Sequence, residues 1–165
     1  MLVWRLGRNV VGKYDAKDIS GKGAFLSGGR WNSKGYHGVY ASLHPAAAVL
    51  EAMVRLGRMN INPIDRYLIA IEIPDAIWND PKNGVKRATR LPQNWDAFPA
   101  HQATMIYGDK WLNQGKQLGL LLPSAIVEEE SNILLNPHHP LMPHVKVKKI
   151  RPFIFDPRRI TRGST

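Results

Sequence analysis

The chain has 165 residues, the usual size of one domain, of which 44% are hydrophobic and 22% are charged. It contains no cysteine, which excludes disulfides, thiolate metal sites and a thiol nucleophile. It has no apolar run of roughly 18 residues and no signal-peptide pattern, so we expect a single cytoplasmic domain over residues 1–165 without membrane association. The net charge of +10 is compatible with nucleic acid, an anionic small ligand or an acidic protein partner, and does not choose among them.

The first third of the chain predicts two strands followed by a helix. MLVWRLGR alternates loosely and predicts a strand, and the glycines crowded between 21 and 35 predict a long loop. GVYAS predicts a second strand. The apolar residues of SLHPAAAVLEAMVRLGR have helical spacing, with Ser42 as a cap, Pro45 in the first turn and Gly57 at the C-terminal end.

The remainder predicts mainly strands. RYLIAIEIP predicts a strand, residues 79–99 a loop with a turn near Trp95, and the segment from about Asp109 a second helix. GLLLPSAIV predicts a buried strand broken by Pro123, and SNILLNPHHP a strand that ends in a turn. VKVKKIRPFIFDPRR predicts a strand pair or one bent edge strand. Helices and strands are mixed with short connections, so the predicted class is α+β.

Arg30 in GGRWN is the first candidate for chemistry. Gly28 and Gly29 allow a positive φ or a close backbone approach to a ligand. The planar guanidinium of an arginine suits phosphate or carboxylate, although a solvated loop arginine has the same local sequence. Tyr40 shares one face of its strand with Gly38 and Ser42, and on its own is typical of a core tyrosine.

Glu51 is a carboxylate inside the most apolar helical stretch, near the boundary of the apolar face. It is either a solvated flank or a functional acid that faces a cleft. Ser124, after the strand break at Pro123, is either a ligand-binding hydroxyl or a turn residue. Asn132 and the His138–His139 pair belong to a turn-forming segment, and adjacent histidines without a third ligand lead us to expect no metal site.

Taken together, four segments resemble the RES domain family, which takes its name from Arg, Glu and Ser. They are WRL at Trp4–Leu6, GAFLSGGRWNSKGYHGVYAS at Gly23–Ser42, AAAVLEAMV at Ala46–Val54 and LLPSAIVEEESNILLNPHHP at Leu121–Pro140. The resemblance implies an ADP-ribosyltransferase-like split sheet around an NAD cleft. It also implies a bacterial toxin that degrades NAD at the nicotinamide–ribose bond by hydrolysis or phosphorolysis, with NAD as a consumed substrate and not a cofactor.

The resemblance also assigns roles and partners. Arg30 would bind the NAD diphosphate, Tyr40 would stack on nicotinamide, Glu51 would hold and stabilise the ribose, and Ser124 would orient either ring. Asn132 is a weaker NAD-binding candidate, and whether Arg5 also lines the site is left open. The implied partner is a Xre-type helix-turn-helix antitoxin that covers the cleft, in a hetero-oligomer that contains more than one toxin and meets DNA only through the antitoxin.

Two other functions stay open at this point. One is a protein ADP-ribosyltransferase toxin that uses the same pocket, and the other is a basic nucleic-acid-binding module, for which no DNA-reading motif is present. The basic C-terminal cluster is either an antitoxin contact or a charged edge that prevents strand pairing. Its members are Lys146, Lys148, Lys149, Arg151, Arg158, Arg159 and Arg162.

Overall fold

The computed structural model describes residues 1–59 and 65–156. Within them, one seven-stranded sheet has the order β4-β5-β6-β2-β1-β3-β7, and every pair is antiparallel except β4–β5. The strands are β1 Leu2–Arg8, β2 Val39–Ser42, β3 Arg66–Glu72, β4 Val85–Arg87, β5 Gly119–Pro123, β6 Ser131–Leu135 and β7 Lys146–Phe153. The helices are α1 Lys22–Ser27, α2 Pro45–Met59, α3 Asp75–Trp78, α4 Gln102–Gln114 and the 3₁₀ turn Met142–His144. The predicted α+β class is confirmed.

The sheet is split between β1 and β2. β1 pairs with β3 along its whole length, and β2 pairs with β6 along its whole length, but β1 meets β2 at the single position Trp4–Ser42. The split sheet that the family resemblance implied is therefore present. Helix α2 follows β2 directly and packs against both β1 and β2, which places its side chains over the split.

The two faces of the sheet bury different cores. Because side chains alternate along a strand, Val39 and Ala41 lie in the larger core with Ile133, whereas Tyr40 lies at the margin of a second core built around Trp31. The sequence of β2 thus places Tyr40 and Ser42 on the face that carries the second core.

The structure corrects the predicted start of α2. The helix begins at Pro45 and continues beyond Gly57 to Met59, but Ser42 is not its cap. Ser42 belongs to β2, and its hydroxyl donates to the Asn132 side chain at 2.6 Å. A serine just before a helix is a local signal, and here a cross-strand partner determines its role.

The glycine-rich segment and the second helix also differ from prediction. The expected loop contains helix α1, which Gly28 ends by donating its N–H to the Ala24 carbonyl. Helix α4 begins at Gln102 and not near Asp109, because His101 caps it by accepting the N–H of Ala103. Gly108 inside this helix is required, since a Cβ there would lie 1.8 Å from the Trp31 carbonyl oxygen.

Three other predictions were tested in the second half of the chain. The expected loop over 79–99 contains β4, which pairs in parallel with β5, and it has the predicted turn near Trp95. Strand β5 ends at Pro123 as predicted. The C-terminal segment is one edge strand, β7, with a register shift opposite Ala70–Ile71, so the bent-strand alternative is confirmed for the described residues. Among those residues, none of the helices combines the length and apolar character that a bilayer crossing requires.

Candidate active site

The centre of the candidate site is the Glu51 carboxylate. Its Oε1 atom accepts a hydrogen bond from Ser124 Oγ at 2.8 Å and another from Asn132 Nδ2 at 2.6 Å. Ser42 Oγ in turn donates to Asn132 Oδ1 at 2.6 Å. We call Glu51, Ser124, Asn132 and Ser42 the carboxylate cluster. Three of the four residues, Glu51, Ser124 and Asn132, are candidates predicted from the sequence, in which the first and last are 81 positions apart.

Ser124 combines the two roles that the sequence left open. Its Oγ accepts the backbone N–H groups of Ile126 and Val127, at 3.1 and 3.2 Å, and so closes the turn after β5. The same hydroxyl donates its hydrogen to Glu51. Ser124 is 3% exposed, so its hydrogen-bonding capacity is directed to the turn and the carboxylate.

The second oxygen of Glu51 remains available. Within the described part of the chain, Oε2 has no hydrogen-bond partner, and none of the ion pairs there includes Glu51. The side chain is half-buried, so the carboxylate is partly removed from water without a neutralising cation. Such a group attracts positive charge more strongly than a fully solvated carboxylate does.

Tyr40 holds the GGRWN segment in place. Its hydroxyl accepts the Trp31 N–H at 3.0 Å and donates to Asn32 Oδ1 at 2.8 Å. Burial raises the pKa of Tyr40 well above its ordinary value, although the bond from Trp31 and the charges of Arg55 and Arg30 oppose that change. The phenol therefore stays protonated and acts as a fixed link between β2 and the segment before it.

The two glycines of GGRWN serve different needs. Gly28 has a φ of 69°, in the left-handed region that favours glycine. A Cβ on Gly29 would lie 2.7 Å from the Tyr40 hydroxyl oxygen, so a side chain there would force its neighbours to shift. The sequence predicted a positive φ or a close approach to a ligand; the close approach in this structure is to Tyr40.

Arg30 contacts the segment around Trp95. Its Nη1 donates to the carbonyl oxygens of Trp95 at 2.6 Å and Ala97 at 2.8 Å, and the Trp31 and Trp95 rings stack at 6.0 Å. Arg30 is not hydrogen-bonded to the carboxylate cluster, but it lies close enough to Tyr40 to affect its pKa.

Arg5 lies next to the only pairing position of β1 and β2 and is half-buried. Its Nη1 donates to the Asp18 carbonyl at 3.0 Å. Burial is the main cause that lowers the pKa of Arg5. The charge of Arg55 lowers this pKa further, whereas the charge of Asp18 raises it. The exposed Arg55 is therefore close enough to Arg5 to affect its pKa.

Sequence reasoning missed Ser42 and Arg55 as site residues. Both had a signal: Ser42 shares a strand face with Tyr40, and Arg55 lies one helical turn after Glu51. Asp109 was also missed; its two oxygens accept the N–H and hydroxyl of Ser33, which anchors the segment after GGRWN to α4.

The two histidines have local roles. The His138 ring packs edge-on against His37 at 4.9 Å, and His139 Nδ1 accepts the N–H of Leu141 at 3.2 Å. In the basic cluster, Lys148 pairs with Glu72 across the β3–β7 edge at 3.2 Å. Its members Arg158, Arg159 and Arg162 lie outside the described residues.

Comparison with known proteins places this geometry in context. Residues 2–156 match the family model of the RES domain. The Prs ADP-ribosylating toxin of Sphingobium sp. (strain YBL2) is 40% identical over 160 residues, which cover 97% of each chain. Toxin Res of Yersinia enterocolitica serotype O:8 / biotype 1B is 34% identical over 161 residues, 96% of this chain and 99% of that protein.

Among solved structures, a chain in the M. tuberculosis MbcT-MbcA toxin-antitoxin complex has a similar fold. The TM-score is 0.67 at 14% identity, and the alignment covers 91% of this chain and 82% of that chain. This likeness shows that the two chains share the same fold.

Proposed function

We propose that this chain, which belongs to the RES domain family, is the toxin of a toxin–antitoxin pair and breaks the nicotinamide–ribose bond of NAD. Its relatives over nearly the full length are named as toxins. The observation that carries the proposal is Glu51, a half-buried carboxylate with one oxygen held by two donors and the other without a hydrogen-bond partner among the described residues.

The reaction separates charge at the ribose. The bond between ribose C1′ and the nicotinamide nitrogen breaks, and its electron pair stays with nicotinamide, which leaves as a neutral base. C1′ becomes cationic, as in glycoside hydrolysis. An acceptor oxygen then forms the new bond to C1′ and loses its proton. Because the leaving group is neutral, no strong general acid is needed.

Glu51 would stabilise the cationic ribose. With Oε1 fixed by Ser124 and Asn132, Oε2 is the oxygen left for the ribose, and a preorganised charge in a partly dry site requires little reorganisation during the reaction. The structure therefore leads us to revise two roles. Ser124 and Asn132 both donate to Glu51. We therefore propose that their main role is to hold this carboxylate and not to contact NAD directly.

The arginines would bind the diphosphate. Arg55 is close enough to Arg5 to lower its pKa, and a bound dianion would relieve this repulsion. Arg30 would join them by exchanging the carbonyl oxygens of Trp95 and Ala97 for phosphate oxygens, since the negative charge of a phosphate attracts a guanidinium more strongly than a carbonyl dipole does. The Tyr40 hydroxyl is engaged by the GGRWN segment, so any contact with nicotinamide would come from its ring.

The acceptor is water or phosphate in the first candidate function and a protein in the second. The second is favoured by the name of the Sphingobium relative, an ADP-ribosylating toxin of Prs. Both share the same bond cleavage, and they differ in where the ADP-ribose goes.

The test uses purified protein and NAD labelled separately in nicotinamide and in adenosine, with and without phosphate and with and without purified Prs. We expect nicotinamide release by the wild type, and free ADP-ribose, its phosphate ester or labelled Prs identifies the acceptor. Glu51→Gln should reduce nicotinamide release by about 100-fold or more. Glu129→Gln, the same change at an exposed glutamate, is the control and should have no effect. Absence of nicotinamide release in every mixture would refute the proposal.

The biological prediction concerns growth and the partner. Expressed alone, the wild type should arrest growth, whereas Arg30→Ala and Glu51→Ala at equal protein levels should not. We propose that a Xre-type antitoxin covers the cleft with an acidic segment, because the chain has a net charge of +10 and Arg30 and Arg55 both lie close enough to Tyr40 to affect its pKa. We expect a helix-turn-helix protein to be encoded beside this gene and its co-expression to restore growth. Mutants that still arrest growth would exclude the assigned site.

A further inference from the structure

Ser42 is a buried hydroxyl that does not contact Glu51 but contacts the residue that does. It is 3% exposed, and its Oγ donates to Asn132 Oδ1 at 2.6 Å. Asn132 Nδ2 then donates to Glu51 Oε1 at 2.6 Å. Ser42 and Asn132 are direct cross-strand partners in the β2–β6 pair, so the backbone fixes the distance between them.

The orientation of the Asn132 amide decides whether this contact is attractive. An asparagine side chain can turn by 180° about its last bond, which exchanges the carbonyl oxygen and the NH₂ group. With the NH₂ group toward Glu51 the carboxylate gains a donor, whereas the reverse orientation would place two oxygens against each other. Ser42 donates to Oδ1 and so favours the first orientation.

The position of Ser42 adds a second argument. It is the only residue of β2 that pairs with β1, opposite Trp4, and is therefore the point where the two halves of the split sheet are joined. From here the same residue contacts the β6 side chain that holds Glu51 over the split. If the two halves of the sheet moved at this junction, the Ser42–Asn132 contact would transmit the movement to the Glu51 carboxylate.

We propose that Ser42 is a positioning residue that sets the orientation of the Asn132 amide and, through it, the direction of the Glu51 carboxylate. Its effect rests on the proposed NAD cleavage, in which Glu51 stabilises the cationic ribose. Ser42 acts on the charge-separated state through Glu51 and does not reach NAD. Its loss therefore lowers kcat and leaves KM unchanged.

The kinetic experiment is a double-mutant cycle on nicotinamide release with Ser42→Ala, Asn132→Ala and the double variant. Loss of one orienting hydrogen bond predicts a three- to tenfold lower kcat for Ser42→Ala, about the effect of one net hydrogen bond, with KM unchanged. In the Asn132→Ala background, Ser42→Ala should have no further effect, because there is no amide left to orient. Ser131→Ala, the neighbouring buried serine whose hydroxyl accepts from Arg87, is the matched control and should keep the wild-type kcat.

A second measurement does not depend on turnover. In protein with ¹⁵N-labelled asparagine, the Asn132 side-chain amide is identified by its disappearance in Asn132→Ala. One of its protons should be shifted downfield by the Glu51 carboxylate in the wild type, and this shift should be lost in Ser42→Ala.

The two measurements separate the two proposals. If the wild type does not cleave NAD, the proposed function fails and the amide signal alone decides the role of Ser42. If the wild type is active, an unchanged kcat in Ser42→Ala, a change in KM alone, or additive effects in the cycle would overturn the positioning role. An amide signal unaltered by Ser42→Ala would overturn it in either case.

Discussion

Tyr40→Phe tests whether the Tyr40 hydroxyl holds the GGRWN segment. The substitution keeps the ring and removes one oxygen, which leaves the Trp31 N–H without its acceptor and Asn32 Oδ1 without its donor. Trp31 is 3% exposed and Asn32 is 0% exposed, so water does not readily replace the lost partner.

The expected loss of stability is about 3 kcal/mol, because each buried group left unsatisfied costs about 1–3 kcal/mol. For a protein of this size that corresponds to a Tm lower by about 6–12 °C. Gly29→Ala should cost about 1–3 kcal/mol by itself, since its Cβ would lie 2.7 Å from the same hydroxyl oxygen and 2.8 Å from Asn32 Oδ1.

The assay is urea unfolding of both single variants and the double variant. Removing the Tyr40 oxygen also removes the nearest clash of the Cβ that Gly29→Ala introduces, so the double variant should lose at least about 1 kcal/mol less than the sum of the single losses. Gly23→Ala is the control, because a Cβ there would have its nearest contact, the Tyr14 hydroxyl, at an ordinary 3.5 Å. Additive losses in the double variant, or a Tyr40→Phe variant as stable as the wild type, would show that this hydroxyl does not hold the segment.

Two further predictions concern titration and the anchor on α4. Because burial raises the pKa of Tyr40 above its ordinary value of 10.0, the neutral phenol contributes stability that is complete below about pH 10 and is lost as the pH rises further. The Tm difference between wild type and Tyr40→Phe should therefore shrink from pH 9 to pH 11, and a constant difference would contradict this. Asp109→Asn leaves one acceptor for the two donors of Ser33 and should cost about 1–2 kcal/mol in urea unfolding. Asp96→Asn, at an exposed position, should cost nothing, and equal losses in the two variants would argue against the anchor.

Local sequence patterns were sufficient to predict the elements that are specified by neighbouring residues. The apolar period of α2, the apolar run of β3 and the proline at the end of β5 all predict structure from neighbouring residues alone. Local patterns gave the wrong bounds where a contact with a distant part of the chain decides where an element begins. The start of α4 was predicted near Asp109, yet the helix begins at Gln102 and contains Gly108, against which the Trp31 backbone packs.

The same distinction applies to the candidate site. The sequence by itself determined that a carboxylate stands in an apolar helix at Glu51 and that paired glycines precede Arg30, because both are statements about adjacent residues. Only the tertiary structure decided that Ser124 and Asn132, 73 and 81 positions away, donate to that carboxylate. It also decided that Arg30 binds the carbonyls of the Trp95 segment. Hydrogen bonds are sensitive to changes of a few tenths of an ångström in the donor–acceptor distance. Strand register, which pairs Ser42 with Asn132, sets that distance between residues far apart in the chain.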